Sequence, residues 1–89
     1  MFHYVYVLKS MTYDQLYIGY TTDLRRRVQE HNRGETFSTK RYIPWKLIYY
    51  EACLDELDAK RRERYLKTNQ GRRLLRRRLK EYMYKTKKF

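Results

Sequence analysis

The chain is poor in cysteine, proline and glycine, with one cysteine, one proline and three glycines in 89 residues. The lone Cys53 excludes an internal disulfide and a cysteine-based zinc site. We therefore expect its side chain simply to pack against its neighbours, and the protein to occupy a reducing compartment. No apolar run approaches the ~20 residues that a membrane-spanning helix needs. The first ten residues, MFHYVYVLKS, lack the features of a signal peptide. We therefore expect a cytoplasmic protein without membrane contact.

Acidic residues are scarce in the last third of the chain. Lys and Arg total 22 against 10 Asp and Glu, which gives a net charge of +12. From Met1 to Ala59, eight basic and eight acidic residues cancel, so residues 60–89 carry the whole excess. A hydrophobic content of 42%, with 17% aromatic residues, argues against a disordered basic tail. The sequence predicts a folded protein with one basic region that binds an anionic partner.

Alternating β-branched and aromatic residues predict three strands. The first two are close enough to form a hairpin through a short connection at Met11–Asp14. A polar loop, residues 35–44, precedes the third strand. The predicted strands are His3–Ser10, Gln15–Tyr20 and Trp45–Tyr50.

Helix start and stop signals bracket the remaining segments. Thr22-Asp23 precedes the helical segment LRRRVQEHN, and Gly34 follows as a stop signal. A second helix is predicted from Asp55 to about Lys67. After a break at Asn69-Gln70-Gly71, we expect a basic helix from about 71 to 85. The order ββαβαα predicts an α+β fold, a small three-stranded antiparallel sheet flanked by helices, in one domain of residues 1–89.

The predicted hairpin has one aliphatic and one aromatic face. Any register that puts Tyr6 and Tyr17 on the same side also puts Tyr4 and Gly19 there. A strand glycine often marks a close approach of a ligand. The alternative is that these are ordinary strand tyrosines.

The first predicted helix carries an arginine on its apolar face. Leu24, Val28 and His31 have the spacing of an inward stripe, and Arg27 lies on it. Either Arg27 pairs with an internal carboxylate, or its donors await a phosphate. His31 is either a core or helix-end histidine or a catalytic one.

The second predicted helix carries a carboxylate on the face that holds Ala59 and Leu66. Glu63 is the only acidic residue between Lys60 and Lys80. It is either a surface salt-bridge partner or a ligand that holds a hard cation against phosphate.

In this order, the motifs resemble those of the GIY-YIG endonuclease superfamily, in its small single-domain bacterial type. The resemblance spans roughly Tyr4 to Asn69. Two positions depart from the family pattern: Tyr4 stands where the first motif has glycine, and Tyr20 stands where DNA-repair members often have lysine. Asn69 is a candidate for the late asparagine of the family. The matching residues are Tyr4-Val5-Tyr6 for GIY, Tyr17-Ile18-Gly19 for YIG, Arg27 for the essential arginine, His31-Asn32 with Gly34 for the HNxG segment, and Glu63 for the metal-binding glutamate.

The resemblance implies a catalytic set of Tyr6, Tyr17, Arg27 and His31, with Glu63 as the metal ligand. In this scheme Tyr17 is the general base toward the attacking water, and Tyr6 positions water or phosphate. Arg27 stabilises the charge that builds on the phosphorane oxygens. A single carboxylate with several waters suits Mg²⁺, although other divalent cations can replace it.

The basic region predicts a phosphate-tracking surface with steep salt dependence and little sequence information. We expect a metal-dependent endonuclease that acts on DNA without strong sequence specificity, as a monomer or weak homodimer. The alternatives are an inactive nucleic-acid-binding module and a basic protein associated with ribosomes or structured RNA. The residues expected to contact nucleic acid are Lys40 and Arg41 in the loop and Arg72, Arg73, Arg76 and Arg77 in the last helix.

Overall fold

Three antiparallel strands form one sheet in the computed structural model, which describes residues 1–86. Residues 87–89, the end of the predicted basic region and of the predicted domain, lie outside the described residues. The first strand is central, with the second and third strands on either side. The strands are β1 (His3–Ser10), β2 (Leu16–Thr21) and β3 (Trp45–Cys53).

Four α-helices flank the sheet, and side-chain caps fix three of their starts. Asp23 accepts from the backbone N–H of Arg26, Asp55 from that of Leu57, and the Thr68 hydroxyl from that of Gly71. No helix within residues 1–86 has both the length and the apolar character needed to cross a membrane. The helices are α1 (Leu24–Asn32), α2 (Glu56–Leu66), α3 (Asn69–Arg78) and α4 (Lys80–Thr86), with a 3₁₀ turn at Lys40–Tyr42.

The register of the hairpin confirms the predicted faces. Tyr6 lies opposite Gly19 and Leu8 opposite Tyr17, so these four residues share one side of the sheet. Val5 and Val7 point to the other side. Both faces are covered, and the sheet therefore separates two apolar clusters.

The aliphatic cluster lies between the sheet and the helices α2 and α3, whereas the aromatic cluster lies beneath α1. Each cluster draws residues from the strands and from at least one later element. Buried residues of the first are Val5, Val7, Ile18, Ala59, Leu66 and Leu75, and those of the second are Tyr6, Leu8 and Trp45.

The third strand is longer than predicted. It continues past Tyr50 to Cys53 because the first three residues of β1 pair with its last three residues. A bulge between Val7 and Leu8 leaves Ile48 without a Cα partner. The sequence signal for this extension is weak, since Glu51 and Ala52 are not strand formers in isolation.

The prediction for the basic helix was wrong at its start and in its continuity. Segment 69–71 is not a break but the first turn of α3. Gly71 is buried there, and glycine is needed because a side chain would collide with the carbonyl oxygen of Tyr65 and the backbone of Leu66. At Leu79 the backbone leaves the helical region, with φ −105° and ψ 24°, and this divides the predicted helix 71–85 into α3 and α4.

Candidate active site

A chain of hydrogen bonds runs from Tyr6 through His31 to Thr39, all three fully or almost fully buried. The Tyr6 hydroxyl lies 2.8 Å from His31 Nε2, and His31 Nδ1 lies 2.8 Å from the Thr39 hydroxyl. The Thr39 hydroxyl in turn donates to the carbonyl of Thr36 at 3.4 Å. His31 thus connects β1 to the loop that precedes β3.

The last acceptor in this series of hydrogen bonds determines which atom donates in each of them. The Thr36 carbonyl can only accept, so Thr39 donates to it and accepts from the Nδ1–H of His31. His31 Nε2 then accepts from the Tyr6 hydroxyl. Burial lowers the pKa of His31 to about 4, and the positive charge of Arg27 acts in the same direction. His31 is therefore neutral at pH 7, as this arrangement requires.

Groups from three other elements surround the Tyr6 hydroxyl. Burial raises the pKa of Tyr6 to about 12, and the nearby Arg27 guanidinium opposes this rise. Tyr17 and Glu63 lie close enough to push the pKa upward. Residues of β1, β2, α1 and α2 thus converge on one point, which we call the tyrosine site and define as Tyr6, Tyr17, Arg27, His31 and Glu63.

Gly19 keeps the two tyrosine rings in place. A Cβ atom at this position would lie 2.5 Å from the Tyr6 hydroxyl oxygen and 2.9 Å from Cε2 of Tyr17. The ring centroids of Tyr6 and Tyr17 are 6.2 Å apart, and that of Tyr17 is 4.9 Å from His31. Glycine is needed here for the close approach of these side chains and not for an unusual backbone angle.

Arg27 lies beside Tyr6 with part of its guanidinium exposed. Its Nη1 donates to a carboxylate oxygen of Glu30 at 2.8 Å, and this hydrogen bond raises the pKa of Arg27 and lowers that of Glu30. The side chain of Arg27 is 31% exposed. Both predicted possibilities are compatible with this geometry, because a guanidinium bound to one carboxylate keeps further N–H donors for a phosphate.

Asn32 and Gly34 shape the chain around His31. The side chain of Asn32 accepts from the backbone N–H of Trp45 and donates to its carbonyl, which joins the end of α1 to the start of β3. Gly34 has φ +77° and ends the helix. The segment therefore positions His31, closes α1 and anchors β3.

Glu63 lies on α2 with its side chain 21% exposed, and it accepts from the ammonium group of Lys67 at 3.1 Å. Within residues 1–86 no three acidic, histidine or cysteine side chains form a metal cage. A single accessible carboxylate fits Mg²⁺, which keeps several waters and shares its remaining positions with substrate phosphates. The donor set is therefore compatible with a hydrated divalent cation held by Glu63.

A basic groove of about 540 Å³ begins beside Glu63. Lys67, which binds Glu63, is one of its lining residues. The Nε of Arg72 is buried without a hydrogen-bond acceptor in the described part of the chain. The residues that line the basic groove are Lys67, Asn69, Arg72, Arg73 and Arg76.

Not all predicted contact residues lie at this groove. Arg77 is exposed on α3 but is not part of the groove lining. Lys40 and Arg41 are exposed in the 3₁₀ turn, which is sequence-adjacent to Thr39 and thus lies on the His31 side of the site. Asn69, the candidate late asparagine, lies in the groove.

Sequence reasoning missed Thr39 and the double contact of Asn32. Thr39 carries no signal, because a threonine in a polar loop is unremarkable. The salt bridge that was one of the two alternatives for Glu63 is present, with Lys67 at i,i+4 as the partner. The contact of Asn32 could not be predicted, because it depends on how the chain returns to β3 and brings the backbone of Trp45 beside the end of α1.

Comparisons with known proteins place the chain beside small proteins of similar length and pattern. The model of the GIY-YIG catalytic domain family matches residues 2–77. A UPF0213 protein of Staphylococcus haemolyticus is 40% identical over 67 residues, which cover 74% of this chain and 80% of that protein. One from Streptococcus pneumoniae serotype 4 is 39% identical over 85 residues, with 81% of this chain and 85% of that protein covered.

A further relative and a solved structure agree with this likeness. A UPF0213 protein of Haloquadratum walsbyi is 44% identical over 59 residues, 65% of this chain, and the match covers 64% of that protein, less than two thirds of its length. The solution NMR structure of a UPF0213 protein from Bacillus halodurans has 32% identity and a TM-score of 0.52, over 84% of this chain and 82% of that one.

Proposed function

The chain belongs to the GIY-YIG catalytic domain family, and on this premise we propose that it is an endonuclease that hydrolyses phosphodiester bonds of nucleic acid, with DNA as its expected substrate. The observation that supports this most strongly is the convergence at the tyrosine site. The rings of Tyr6 and Tyr17 approach each other across Gly19, and Arg27 and Glu63 lie close enough to act on the Tyr6 hydroxyl. A merely structural use of the fold does not require these groups to meet.

Tyr6 serves as a protonated, positioning group. With a pKa of about 12 it keeps its proton at physiological pH. That proton is directed at His31 Nε2, so the lone pairs of the Tyr6 oxygen accept from donors on its other side, of which the Arg27 guanidinium is one. His31 acts through Tyr6 and is a positioning residue in this scheme.

Tyr17 serves as the general base. It lies on the same face as Tyr6 and is partly exposed, whereas Tyr6 is buried. Within the described residues its hydroxyl has no hydrogen-bond partner, which leaves it available to a substrate water. In its phenolate form Tyr17 takes one proton from that water and becomes the phenol, and the water becomes the hydroxide that attacks the phosphorus.

Arg27 and Glu63 supply the opposing charges at the phosphate. The N–H groups of Arg27 that are not used by Glu30 stabilise charge on the phosphoryl oxygens in the transition state. Glu63 would hold a divalent cation, and its single carboxylate suits Mg²⁺. When bound, this cation would neutralise charge on the leaving oxygen. Lys67, which binds the carboxylate of Glu63, also lines the basic groove.

Binding is attributed to the basic groove and to Lys40 and Arg41. Arginine and lysine contacts to phosphate confer affinity and a defined orientation but carry no base sequence information. We therefore propose cleavage without strong sequence specificity.

A cleavage assay with a matched pair of variants tests the proposal. Plasmid, flap, fork, single-stranded and RNA substrates are incubated with Mg²⁺ or with EDTA. Wild-type protein should cleave at least one of them only with Mg²⁺, and Glu63→Gln should not cleave although it binds as tightly or more tightly, because a negative charge is lost. Glu56→Gln, on the same helix but exposed and paired with Lys60, should retain activity.

Two results would contradict the proposal. Cleavage by Glu63→Gln at the wild-type rate would remove the metal assignment. Binding without cleavage of any substrate would favour the inactive nucleic-acid-binding module.

A further inference from the structure

An exposed aromatic surface lies next to the tyrosine site, and its chemistry differs from that of the basic groove. Its members come from the β1–β2 connection and from the loop before β3. Tyr13 is 51% exposed and Phe37 is 84% exposed. We define the aromatic surface as Tyr13, Phe37, Lys40, Arg41 and Tyr42.

A row of rings connects this surface to Tyr17. The ring of Tyr13 meets that of Tyr42 edge to face, with centroids 5.2 Å apart. Tyr42 is 6.2 Å from Trp45, and Trp45 is 6.3 Å from Tyr17. The exposed end of the row is thus continuous with the residue proposed as the general base.

Cations are placed over these rings. The Lys40 ammonium lies 5.1 Å from the centroid of Phe37, and the Arg41 guanidinium lies 5.7 Å from that of Tyr42. Alternation of exposed rings with cations is typical of surfaces that bind single-stranded nucleic acid, because the bases stack on the rings while the cations contact phosphates.

A small cleft of about 180 Å³ opens between Tyr17 and Tyr42. Trp45 also lines the cleft, and Gln15 and Ser38 supply polar side chains to it. Aromatic walls with a few polar groups suit a planar, partly polar ligand such as a nucleobase.

The basic groove differs from this cleft in the chemistry of its lining. All five of its lining residues are charged or amide side chains, and none is aromatic. It can contact phosphates of single or double strands alike. The basic groove therefore suits the phosphate backbone of the substrate, whereas the aromatic surface suits its bases.

We propose that the aromatic surface stacks an unpaired base next to the scissile phosphate, so that the substrate class is nucleic acid with unpaired nucleotides at the cleavage point. In a duplex each base is stacked between its neighbours and its face is hidden, so rings of the protein cannot reach it. This inference rests on the proposed nuclease function, whose site it extends.

The test uses the inactive Glu63→Gln protein and a 20-nucleotide DNA probe that carries one 2-aminopurine, either as a single strand or annealed to its complement. Binding is followed by fluorescence anisotropy of a terminal dye, and stacking by quenching of the 2-aminopurine. The single strand should bind more tightly than the duplex and be quenched on binding. Adding Phe37→Ala or Tyr13→Ala should weaken single-strand binding roughly 5- to 100-fold, as expected for one lost base–aromatic stack.

A matched control is Tyr84→Ala, since this tyrosine is 69% exposed on α4 and its ring contacts no ring of the aromatic surface within residues 1–86. It should leave single-strand affinity and quenching unchanged. Both Phe37 and Tyr13 lie in exposed connections, so their replacement should not disturb the core, and circular dichroism confirms the fold.

The outcomes separate this inference from the proposed function. Equal binding of duplex and single strand, with Phe37→Ala and Tyr13→Ala both indistinguishable from Tyr84→Ala, would overturn the stacking proposal even if the protein cleaves DNA. Quenching that both alanine variants abolish would support it even if the wild-type protein cleaves nothing. Absence of binding to either probe would overturn both.

Discussion

The buried histidine makes the stability of this protein depend on pH in a range where few other side chains titrate. The pKa of His31 is about 4 in the folded state, against about 6.5 in an unfolded chain. The unfolded chain therefore takes up the proton first as pH falls, and protonation favours unfolding. The contribution of neutral His31 is fully present above pH 6.5 and is progressively lost between pH 6.5 and 4.

The size of the effect follows from these two pKa values. Linkage predicts that the free energy of unfolding falls by about 1 kcal/mol between pH 7.5 and 5.5, and by about 2–3 kcal/mol between pH 7.5 and 4.5. His31→Gln should remove this dependence. At pH 7.5 the variant should also be less stable by about 1–3 kcal/mol, because the hydroxyls of Tyr6 and Thr39 lose well-placed partners in a buried setting.

Urea unfolding followed by circular dichroism at pH 7.5, 6.5, 5.5 and 4.5 measures both effects. The carboxylates titrate equally in the two proteins, so the difference between wild type and His31→Gln isolates the histidine. His3→Gln is the matched control, since it replaces the other histidine, which bonds Tyr20 near the sheet edge. Parallel pH curves for wild type and His31→Gln would refute the assignment of a neutral, buried His31.

Three further predictions concern the site and its surroundings. Tyr17→Phe should reduce the cleavage rate by about 10²–10⁴-fold with little change in stability. Tyr6→Phe should lose less activity but more stability, because His31 Nε2 loses its hydrogen-bond donor. Single-turnover rates and urea unfolding that show the opposite order would reject these roles. Gly19→Ala should reduce cleavage by displacing both tyrosine rings, while Gly71→Ala should lower the free energy of unfolding by about 1–3 kcal/mol through backbone collisions in the core and leave the rate per folded molecule intact. Replacing the three arginines of the basic groove with glutamine should reduce the slope of log affinity against log salt by roughly 0.7–0.9 for each lost phosphate contact, and titrations that give an unchanged slope would move the main phosphate contacts elsewhere.

Local patterns were sufficient to predict the family, the order of elements and the faces of the hairpin. Alternation in β1 and β2 specifies which residues share a side, because one residue of slippage would move the valines to the aromatic side of the sheet. The apolar stripe of α1 likewise placed Arg27 and His31 inward. These features depend on short-range periodicity, which the sequence displays directly.

Features that depend on distant parts of the chain could not be predicted in the same way. The extension of β3 to Cys53 exists because β1 offers it a partner, and its own residues do not show this. The start of α3 was misread because Gly71 was taken as a helix breaker, when it permits contact with the end of α2. The contact between Tyr6 and His31 joins residues 25 positions apart and follows only from the packing of α1 on the sheet.

The environment of the single tryptophan gives this protein a built-in optical reporter. The indole N–H of Trp45 donates to the carbonyl of Thr39 at 3.0 Å, and the hydroxyl of the same threonine holds His31. The indole is 5% exposed and its ring neighbours Tyr17 and Tyr42. Emission excited at the red edge of the absorption band therefore originates from one place in the molecule, beside Tyr17. A shift of the emission maximum during mixing with substrate would time the arrival of the ligand without any label, and polarity changes along the Thr39–His31 connection would be recorded in the same trace.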